Sequence, residues 1–517
     1  MARAERIFRN LYRDSVALMQ LSAKLGALAG VRQASAIMAT AGNLVLLREA
    51  GLALGDIAAG PNDLLIALEG EEGEALETAL ATAETELTRA PAAAQEGAPR
   101  RLPPRSLEMA LHELATASLA LISTPGEYAA AEAMKALRLG LNVMLFSDNV
   151  ALDDEIALKR YARAHDLLVM GPDCGTAIIG GVPLGFANMG HGGAIGAIAA
   201  SGTGLQQVTC LIDRWGQGIS HAIGTGGHDL HARVGGITML QGLDALAADP
   251  ATRVIVLISK PPHPEVAERV LDAAGRAEKP IVVNFLGADF TTLRRANVHP
   301  VRTLEDAARL AVALVGGEAP AGKRRREAAL APPQLAPGQK YVRGLYSGGT
   351  FCYEALLLLS ETFGSIASNT PLEPEHMLTD VWRSAGHTVI DLGDDAFTRG
   401  RPHPMIDQTL RKERILQEAA DPEVAVILFD VVLGYGAHPD PAPELAATLA
   451  QAGATGAAAG RQLAFVGSVC GTAGDPQDLA RQEAVLKETG ALLVESNAQA
   501  GRLAAAIAAR EAWGPGR

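Results

Sequence analysis

Short, mostly apolar runs alternate with longer amphipathic stretches through most of the chain. Val254–Ile258 and Ile281–Phe285 are two such runs, and the apolar residues between them recur with a helical period. Runs of this kind are typical of parallel strands covered on both faces, and the intervening stretches are typical of the helices that cover them. The pattern therefore predicts an α/β fold with parallel sheets, centred on residues 196–290.

The same sequence of strand, small polar turn and helix occurs twice. Ser201-Gly202-Thr203-Gly204 opens a helix after one strand, and Ser347-Gly348-Gly349-Thr350 opens another after the strand Tyr341–Tyr346. An Ala-Asp-Pro step at 248–250 and again at 420–422 precedes a buried strand in each copy. The separation is 350 − 203 = 147 residues at the threonines and 421 − 249 = 172 at the aspartates, which predicts 172 − 147 = 25 extra residues in the second copy, near 372–401. We infer two related domains.

The rest of the chain predicts a small N-terminal domain, a half-sheet of mononucleotide-binding type and two linkers. A β-α-β-α-β-α order predicts a ferredoxin-like α+β sandwich, for which a docking or regulatory role is favoured over a catalytic one. Three further strand–helix steps predict a Rossmann-like half-sheet. The predicted boundaries are 1–90 for the ferredoxin-like domain, 91–105 for a linker, 106–195 for the Rossmann-like domain, 196–316 for the first repeated domain, 317–338 for a linker and 339–512 for the second repeated domain.

Composition excludes several classes of protein. The formal net charge of −13 is spread along 517 residues without a basic stripe, so no nucleic-acid partner is predicted. No apolar run approaches the roughly 18 residues of a membrane helix, and the N-terminus lacks the apolar core of a signal peptide. The four cysteines lie far apart, which favours a reducing cytoplasm.

The two small polar turns are the strongest candidates for chemistry. Glycines allow a ligand to approach the backbone, and hydroxyls at a helix start either cap the helix or bind an anion. The candidate anion-binding residues are Ser201, Gly202 and Thr203 in the first turn and Ser347, Gly349 and Thr350 in the second. The alternative is a pair of capped turns without a ligand. Neither turn is followed by Gly-Lys-Ser/Thr, so no phosphate-binding P-loop is predicted.

Histidines and one cysteine are weaker candidates. His228 follows two glycines at a strand end, and His438 lies in a loop before a helix, where capping or solvent exposure is the alternative to ligand contact. His231 is close to His228, but no third ligand is identifiable, so no metal site is predicted. Cys174 lies in a turn, where packing competes with a role as nucleophile.

Together these segments resemble the succinyl-CoA synthetase superfamily. Gly171-Pro172-Asp173-Cys174 is similar to the Gly-Pro-Asn-Cys turn of the α subunit, and Ala200-Ser201-Gly202-Thr203 is similar to its Ser-Gly-Thr loop. Gly226-Gly227-His228-Asp229 is similar to its Gly-Gly-Asp-Pro region, and residues 384–508 resemble the C-terminal domain of the β subunit. With the additional N-terminal unit, the arrangement resembles the FdrA family of acyl-CoA-synthetase-like proteins.

The resemblance implies a Rossmann-like CoA-binding domain at 106–195 and flavodoxin-like domains of the α-subunit type at 196–316 and of the β-subunit type at 339–512. It makes CoA a candidate ligand, with contacts of the CoA-binding type implied for Ser147, Gly171, Pro172, Asp173 and Cys174.

Three departures from the superfamily narrow the chemistry. The α subunit carries its phosphorylated histidine in a Gly-His-Ala-Gly segment after the strand corresponding to Ile281–Phe285, and that segment is missing here. The stretch Arg105–Ser118 contains no glycine, although a Gly-rich loop for CoA phosphates is expected there. No ATP-grasp domain is present in the sequence, so no nucleotide is predicted to bind this chain.

The leading hypothesis is transfer of an activated acyl or carbamoyl group without ATP on this chain. The resemblance to FdrA implies an oxamate carbamoyltransferase complex of purine (allantoin) breakdown that includes partner subunits. In this hypothesis the two turns cradle a small anionic substrate, while His438, Gly434 and Gly436 lie near the transferred group and His228 is a second catalytic candidate. The hypothesis requires the turns at 201–204 and 347–350 to converge.

Two alternatives stay open. One is an acyl-CoA ligase subunit of the succinate–CoA type that needs an ATP-grasp partner on a separate chain. The other is a non-catalytic scaffold that senses a metabolite and docks other subunits. The oligomeric state, including a homo-oligomer, is open in all three hypotheses.

Overall fold

The computed structural model describes residues 2–52, 55, 57–71, 74–88, 104–318, 333–399 and 401–511. The chain divides into two compact units. One comprises Met1–Val169 with Phe397–Asp407, and the other comprises Met170–Ala396 with Gln408–Arg517. Most of the two predicted linkers, at 91–105 and 317–338, lies outside the described residues.

The N-terminal part of the first unit is an α+β sandwich, as predicted. Its elements in chain order are β1 (Ala2–Phe8), α1 (Ser15–Gly26), β2 (Val31–Met38), α2 (Ala41–Glu49), β3 (Leu64–Gly70) and α3 (Glu74–Thr88). The antiparallel sheet has the order β1-β3-β2. Alternate residues of β3 pack to opposite faces: Ile66 lies in a core with α1 and α3, whereas Leu65 lies in a core with α2. Helix α1 is capped by Asp14, one residue before the predicted Ser15, because the Asp14 carboxylate accepts the Ala17 N–H.

The remainder of the first unit contains the predicted strand–helix steps. Its elements are α4 (Leu107–Glu113), β4 (Leu119–Ile122), α5 (Gly126–Arg138), β5 (Asn142–Leu145), α6 (Leu152–Ala164) and β6 (Val169–Met170). The sheet order is β4-β5-β6. Helix α5 buries Ala129, Ala133, Ala136 and Leu137, which share one face of a helix.

The first half of the second unit contains a seven-stranded sheet. Its elements are β7 (Thr176–Ile179), β8 (Val182–Gly185), β9 (Gly192–Ala199), α7 (Gly202–Arg214), β10 (Ile219–Gly224), α8 (Ile237–Ala248), β11 (Val254–Ser259), α9 (Pro264–Arg276), β12 (Ile281–Phe285), α10 (Phe290–Leu293), β13 (Val298–Pro300) and α11 (Leu304–Leu314). The order is β13-β12-β11-β9-β10-β7-β8, with β7 and β8 forming an antiparallel hairpin at the edge. The hairpin precedes the predicted boundary at residue 196, yet it belongs to this sheet because β7 pairs with β10.

The second half contains a five-stranded parallel sheet. Its elements are β14 (Tyr341–Tyr346), α12 (Gly349–Phe363), β15 (Thr388–Asp391), α13 (Asp395–Thr398), α14 (Thr409–Ala420), β16 (Val424–Val432), α15 (Pro441–Ala458), β17 (Ala464–Cys470), α16 (Leu479–Glu488), β18 (Leu492–Val494) and α17 (Asn497–Ala508). The order β15-β14-β16-β17-β18 repeats the order β10-β9-β11-β12-β13 of the first half. Both are the flavodoxin-like order 2-1-3-4-5, so the two halves share one topology.

The halves differ most between the first helix and the second strand. Residues 215–218 connect α7 to β10, whereas residues 364–387 connect α12 to β15. The extra residues therefore begin before the predicted region 372–401. The longer connection follows α12, so it does not alter the N-terminus of that helix. In both halves a helix therefore starts directly after a central strand. None of the described helices combines the length and apolar character needed to cross a bilayer.

Candidate anion-binding site

Helices α7 and α12 meet at their N-termini, where the two repeated turns lie. Ser201 Oγ and Thr350 Oγ1 are 2.5 Å apart, although 149 residues separate them in the sequence. Ser201 is the N-cap of α7, because its Oγ also accepts the N–H of Gly204 at 2.9 Å. Thr203 packs against the second turn, since a Cβ on Gly348 would lie 2.9 Å from Thr203 Cγ2. The two turns thus converge, as the leading hypothesis requires.

The converging turns present backbone donors as well as hydroxyls. Among the described residues, no hydrogen-bond partner is found for the N–H groups of Gly202 and Thr203 in α7, or of Gly349 and Thr350 in α12. First-turn N–H groups have no partner within their own helix, and they carry the positive end of the helix dipole. Two such ends side by side favour a negatively charged ligand.

A lysine and an aspartate flank the first residue of α12. Lys260 directly follows β11, and its Nζ would be 3.5 Å from a Cβ on Gly349. Asp391 ends β15, and its Oδ2 would be closer to that Cβ than real contacts allow, so a side chain at position 349 would have to displace the Asp391 carboxylate. Burial raises the pKa of Asp391 to about 6, while Lys260 acts in the opposite direction. The cradle therefore contains one cation and one carboxyl group that titrates near neutral pH.

A buried ion pair holds the second turn in place. Asp430 in β16 accepts hydrogen bonds from the Ser347 N–H (2.8 Å), the Ser347 hydroxyl (2.7 Å) and the Gly348 N–H (3.1 Å). Arg411 Nη1 lies 2.9 Å from Asp430 Oδ1, and both side chains are fully buried. The hydroxyl of Ser347, a predicted contact to the ligand, already donates to an internal anion. Ser347 therefore fixes the turn, and its direct contact with a ligand stays a prediction.

The predicted glycines Gly434 and Gly436 are explained by close packing. Both have positive φ, and a Cβ on Gly434 would lie 2.6 Å from the carbonyl oxygen of Ala187. A Cβ on Gly436 would lie 2.8 Å from the ring of Phe186. The loop after β16 thus lies against residues 186–187, and the Tyr435 N–H donates to Ala187 O. Their predicted place near the transferred group is untested.

His438 lies in a separate polar cluster at the start of α15. Its Nδ1 accepts the N–H of Asp440 at 3.0 Å, and its Nε2 is 3.4 Å from Glu444 Oε1. Hydrogen bonds from His438 and Lys412 lower the pKa of Glu444 to about 2. Within the described part of the chain, no hydrogen bond or ion pair joins His438 to Ser201 or Thr350. The structure thus does not bring His438 into direct contact with the converging turns.

The turn around His228 packs against the turn at Gly171. Gly226 has φ +82°, and a Cβ there would overlap the carbonyl oxygen of Pro172. Asp229 is fully buried and accepts the N–H groups of Thr238 and Met239 at the start of α8. His228 itself is exposed. The Asp229 carboxylate therefore serves as a helix cap, and the catalytic role predicted for His228 stays a prediction.

The residues implied as CoA contacts have internal partners. The Ser147 hydroxyl donates to the carbonyl oxygen of Thr124 at 2.5 Å, and the buried thiol of Cys174 lies 3.4 Å from Gly224 O. The CoA contacts implied for these residues stay a prediction.

The structure adds four residues to the candidate site that the sequence pattern does not indicate, namely Lys260, Asp391, Arg411 and Asp430. Lys260 and Asp391 each lie at the carboxyl end of a buried strand, which is the position where ligands of parallel sheets bind. This position at a strand end is the only feature of the sequence that could have indicated the two residues as site residues. Their strands lie far apart in the sequence, so the sequence does not show that the two side chains lie close together. Asp430 lies inside an otherwise apolar strand, and a buried acid requires a partner such as Arg411.

A buried glutamate joins the two halves of the second unit and predicts a pH-dependent stability. Glu354 in α12 accepts the N–H of Leu304 and the side-chain amide of Asn497, and burial raises its pKa to about 7. At Glu354 the folded protein therefore binds more protons than the unfolded chain between about pH 4.5 and 7, so the contribution of this group to stability falls as the pH rises through that range. Asp391 contributes in the same direction up to about pH 6.

We expect a rise from pH 5 to pH 7.5 to lower the melting temperature of the wild-type protein relative to that of Glu354→Gln, while the lowered pKa of His387 acts in the opposite direction in both proteins. The amide of glutamine does not titrate, although it also loses one hydrogen bond. The slope of melting temperature against pH is therefore the measurement, rather than the absolute stability. If the slope were the same in Glu354→Gln and in the wild-type protein, Glu354 would not be the group that causes the pH dependence.

Comparisons with known proteins identify the class. The CoA-ligase family model matches residues 345–507, and the model of the AllF heavy metal-associated domain matches residues 1–102. Residues 1–102 contain no cysteine, and no cluster of three metal-ligating side chains occurs in the described chain. The fold and these matches define an acyl-CoA-synthetase-like protein of the succinyl-CoA synthetase superfamily.

The similarity extends over the whole chain in one relative. The protein is 42% identical over 503 residues to the uncharacterized protein YahF of Escherichia coli (strain K12), and the match covers 96% of each chain. The chain therefore belongs to the FdrA family of acyl-CoA-synthetase-like proteins, as the sequence motifs predicted.

More distant relatives match over part of their length. The α subunit of the ADP-forming succinate–CoA ligase of Aquifex aeolicus is 26% identical over 177 residues, which are 33% of this chain and 57% of that subunit. The ADP-forming sulfoacetate-CoA ligase subunit SauD of Bilophila wadsworthia is 27% identical over 181 residues, with 33% and 59% covered. A solved structure, the dinucleotide-forming acetyl-coenzyme A synthetase 1 of Ca. Korarchaeum cryptofilum, aligns with a TM-score of 0.32 and 16% identity over 76% of this chain and 83% of that chain.

Proposed function

We propose that the chain is the subunit that holds an activated acyl or carbamoyl group for transfer to a small acceptor, in a complex with partner subunits. The single observation that carries the proposal is the convergence of the α7 and α12 N-termini, with Ser201 Oγ 2.5 Å from Thr350 Oγ1. Carbamoyl phosphate is the donor and oxamate the acceptor that membership of the FdrA family suggests.

The convergent turns suit the negative charge of such a donor. The phosphate of carbamoyl phosphate would accept hydrogen bonds from the first-turn N–H groups of both helices, and the Lys260 ammonium would balance its charge. Donors fixed in place before the reaction stabilise charge that develops in the transition state. The donor arrives already activated, so the reaction needs no ATP on this chain.

A nucleotide-dependent CoA ligase subunit is the second candidate. It is favoured by the similarity to subunits of two ADP-forming CoA ligases. That function would require an ATP-grasp partner and a phosphorylated histidine here. Incubating the chain and its partners with labelled ATP, followed by tests of acid and base lability, distinguishes the two candidates, because only the ligase forms an acid-labile phosphate.

The Thr350 hydroxyl offers the cleanest test of the proposed site. The Ser201 hydroxyl caps α7, so a variant that lacks it would also have a weaker helix. The Thr350 hydroxyl makes no hydrogen bond to the α12 backbone, so its loss should leave α12 intact. Thr350→Val keeps the side-chain volume and removes one polar group beside the anion. We expect kcat/KM for carbamoyl transfer to fall about 10- to 100-fold, since a hydrogen bond to a charged group contributes roughly 1.5–3 kcal/mol.

The assay uses the chain purified with the products of its neighbouring genes, with carbamoyl phosphate and oxamate as substrates. Thr455→Val, on the exposed face of α15, is the matched control and should leave the rate unchanged. Equal rates in Thr350→Val and the wild-type protein would remove the anion-binding role and favour the non-catalytic scaffold.

A further inference from the structure

Asp391 is an acidic side chain beside the converging turns, and no ion pair holds it among the described residues. Its Oδ1 accepts the N–H of Gly393, and its main chain is held by Asn369 through two hydrogen bonds of 3.0 Å. Asp430, the neighbouring acid, is instead paired with Arg411. The position of Asp391 is thus fixed, while its Oδ2 lies against the first residue of α12.

The position of Asp391 matches the needs of the proposed reaction. Oxamate would attack through an amide nitrogen, which is a weak nucleophile until it loses a proton. The same space above Gly349 is bordered by the Lys260 ammonium, which would bind the phosphate of the donor. A base and an anion-binding cation therefore border one small volume.

We propose that Asp391 is the proton acceptor of the transfer, a proposal that rests on the function proposed above. The oxamate nitrogen forms a bond with the carbamoyl carbon, and the bond from that carbon to the phosphate oxygen breaks with its electron pair leaving on phosphate. The nitrogen loses one proton to the Asp391 carboxylate, which passes it to the departing phosphate or to water. The products are carbamoylated oxamate and inorganic phosphate.

The electrostatic surroundings are consistent with a base that works near neutral pH. Burial is the largest influence on Asp391 and raises its pKa to about 6, so the group is ionised at pH 7 and a stronger base than an exposed aspartate. Lys260 faces it from the end of β11 and lowers the pKa, whereas Asp394 and Asp430 raise it. Cys352 of α12 also faces Asp391, and burial keeps this thiol neutral by raising its pKa.

The test compares Asp391→Asn with Asp394→Asn in the purified complex. Asparagine keeps the shape of Asp391 but cannot accept the proton, so we expect kcat to fall about 100-fold with KM changed less than about threefold. In the wild-type protein, kcat should fall as the pH drops through about 6, and this limb should be absent from the residual activity of the variant. Asp394 is half-buried and accepts the N–H of Ala396, and its charge raises the pKa of Asp391, so Asp394→Asn should keep the rate above pH 7 while moving the acidic limb of the profile to lower pH.

The outcomes separate the two proposals. If the wild-type complex transfers the carbamoyl group and Asp391→Asn keeps both rate and pH profile, Asp391 is not the proton acceptor and the proposed function stands. If the wild-type complex transfers nothing from carbamoyl phosphate, the proposed function fails and this inference fails with it. Thermal unfolding of each variant shows whether a lost rate reflects lost folding, and in that case Asp391→Ser, which is smaller and polar, replaces the asparagine variant.

Discussion

Asp430→Ala is expected to lower the free energy of unfolding of the second unit by about 3–5 kcal/mol, because it leaves the buried Arg411 charge without its partner. The substitution also removes the acceptor of three hydrogen bonds from Ser347 and Gly348, which hold the turn before α12. The expected measurement is a lower urea midpoint with an unchanged m-value.

Two comparisons isolate the buried pair. Glu423→Ala removes an ion pair of similar length with Lys340, but that pair is exposed, so its loss should cost about 0–1 kcal/mol. Asp430→Ala combined with Arg411→Met removes both buried charges, and we expect the double variant to be less destabilised than Asp430→Ala alone. Equal destabilisation of the single and double variants would show that the charge pair is not the cause.

Lys260→Gln is expected to lower kcat/KM for carbamoyl transfer by about 100-fold, the scale seen when one preorganised electrostatic contact is removed from a reacting anion. Lys260 is the cation that borders the first residue of α12, where the donor phosphate would lie. The loss should appear in the transfer assay with carbamoyl phosphate and oxamate, and inorganic phosphate should inhibit the variant less than the wild-type protein.

The prediction concerns the positive charge of Lys260. Because arginine keeps that charge, Lys260→Arg should retain most of the transfer activity. Lys340→Gln provides a remote control, because Lys340 is exposed and pairs with Glu423 at the start of the second sheet. Wild-type rates and wild-type inhibition by phosphate in Lys260→Gln would exclude this lysine from the site.

The sequence alone determined the class of fold. The apolar runs predicted the buried strands of both sheets, and the repeated Ser-Gly turns marked the start of α7 and α12. These features are local, because the period of the apolar residues and the chemistry of a helix start depend on neighbours within a few residues. The N-terminal α+β unit and membership of the FdrA family were also predicted correctly.

Only the tertiary structure decided which residues share the candidate site. Ser201 and Thr350 are 149 residues apart, and Lys260 and Asp391 end strands of different sheets. The structure also shows that Gly434 and Gly436 pack against residues 186–187. The Ser347 hydroxyl donates a hydrogen bond to Asp430. The physical reason is that a turn motif fixes backbone geometry locally, whereas the packing of two whole domains brings distant charges within reach of that turn.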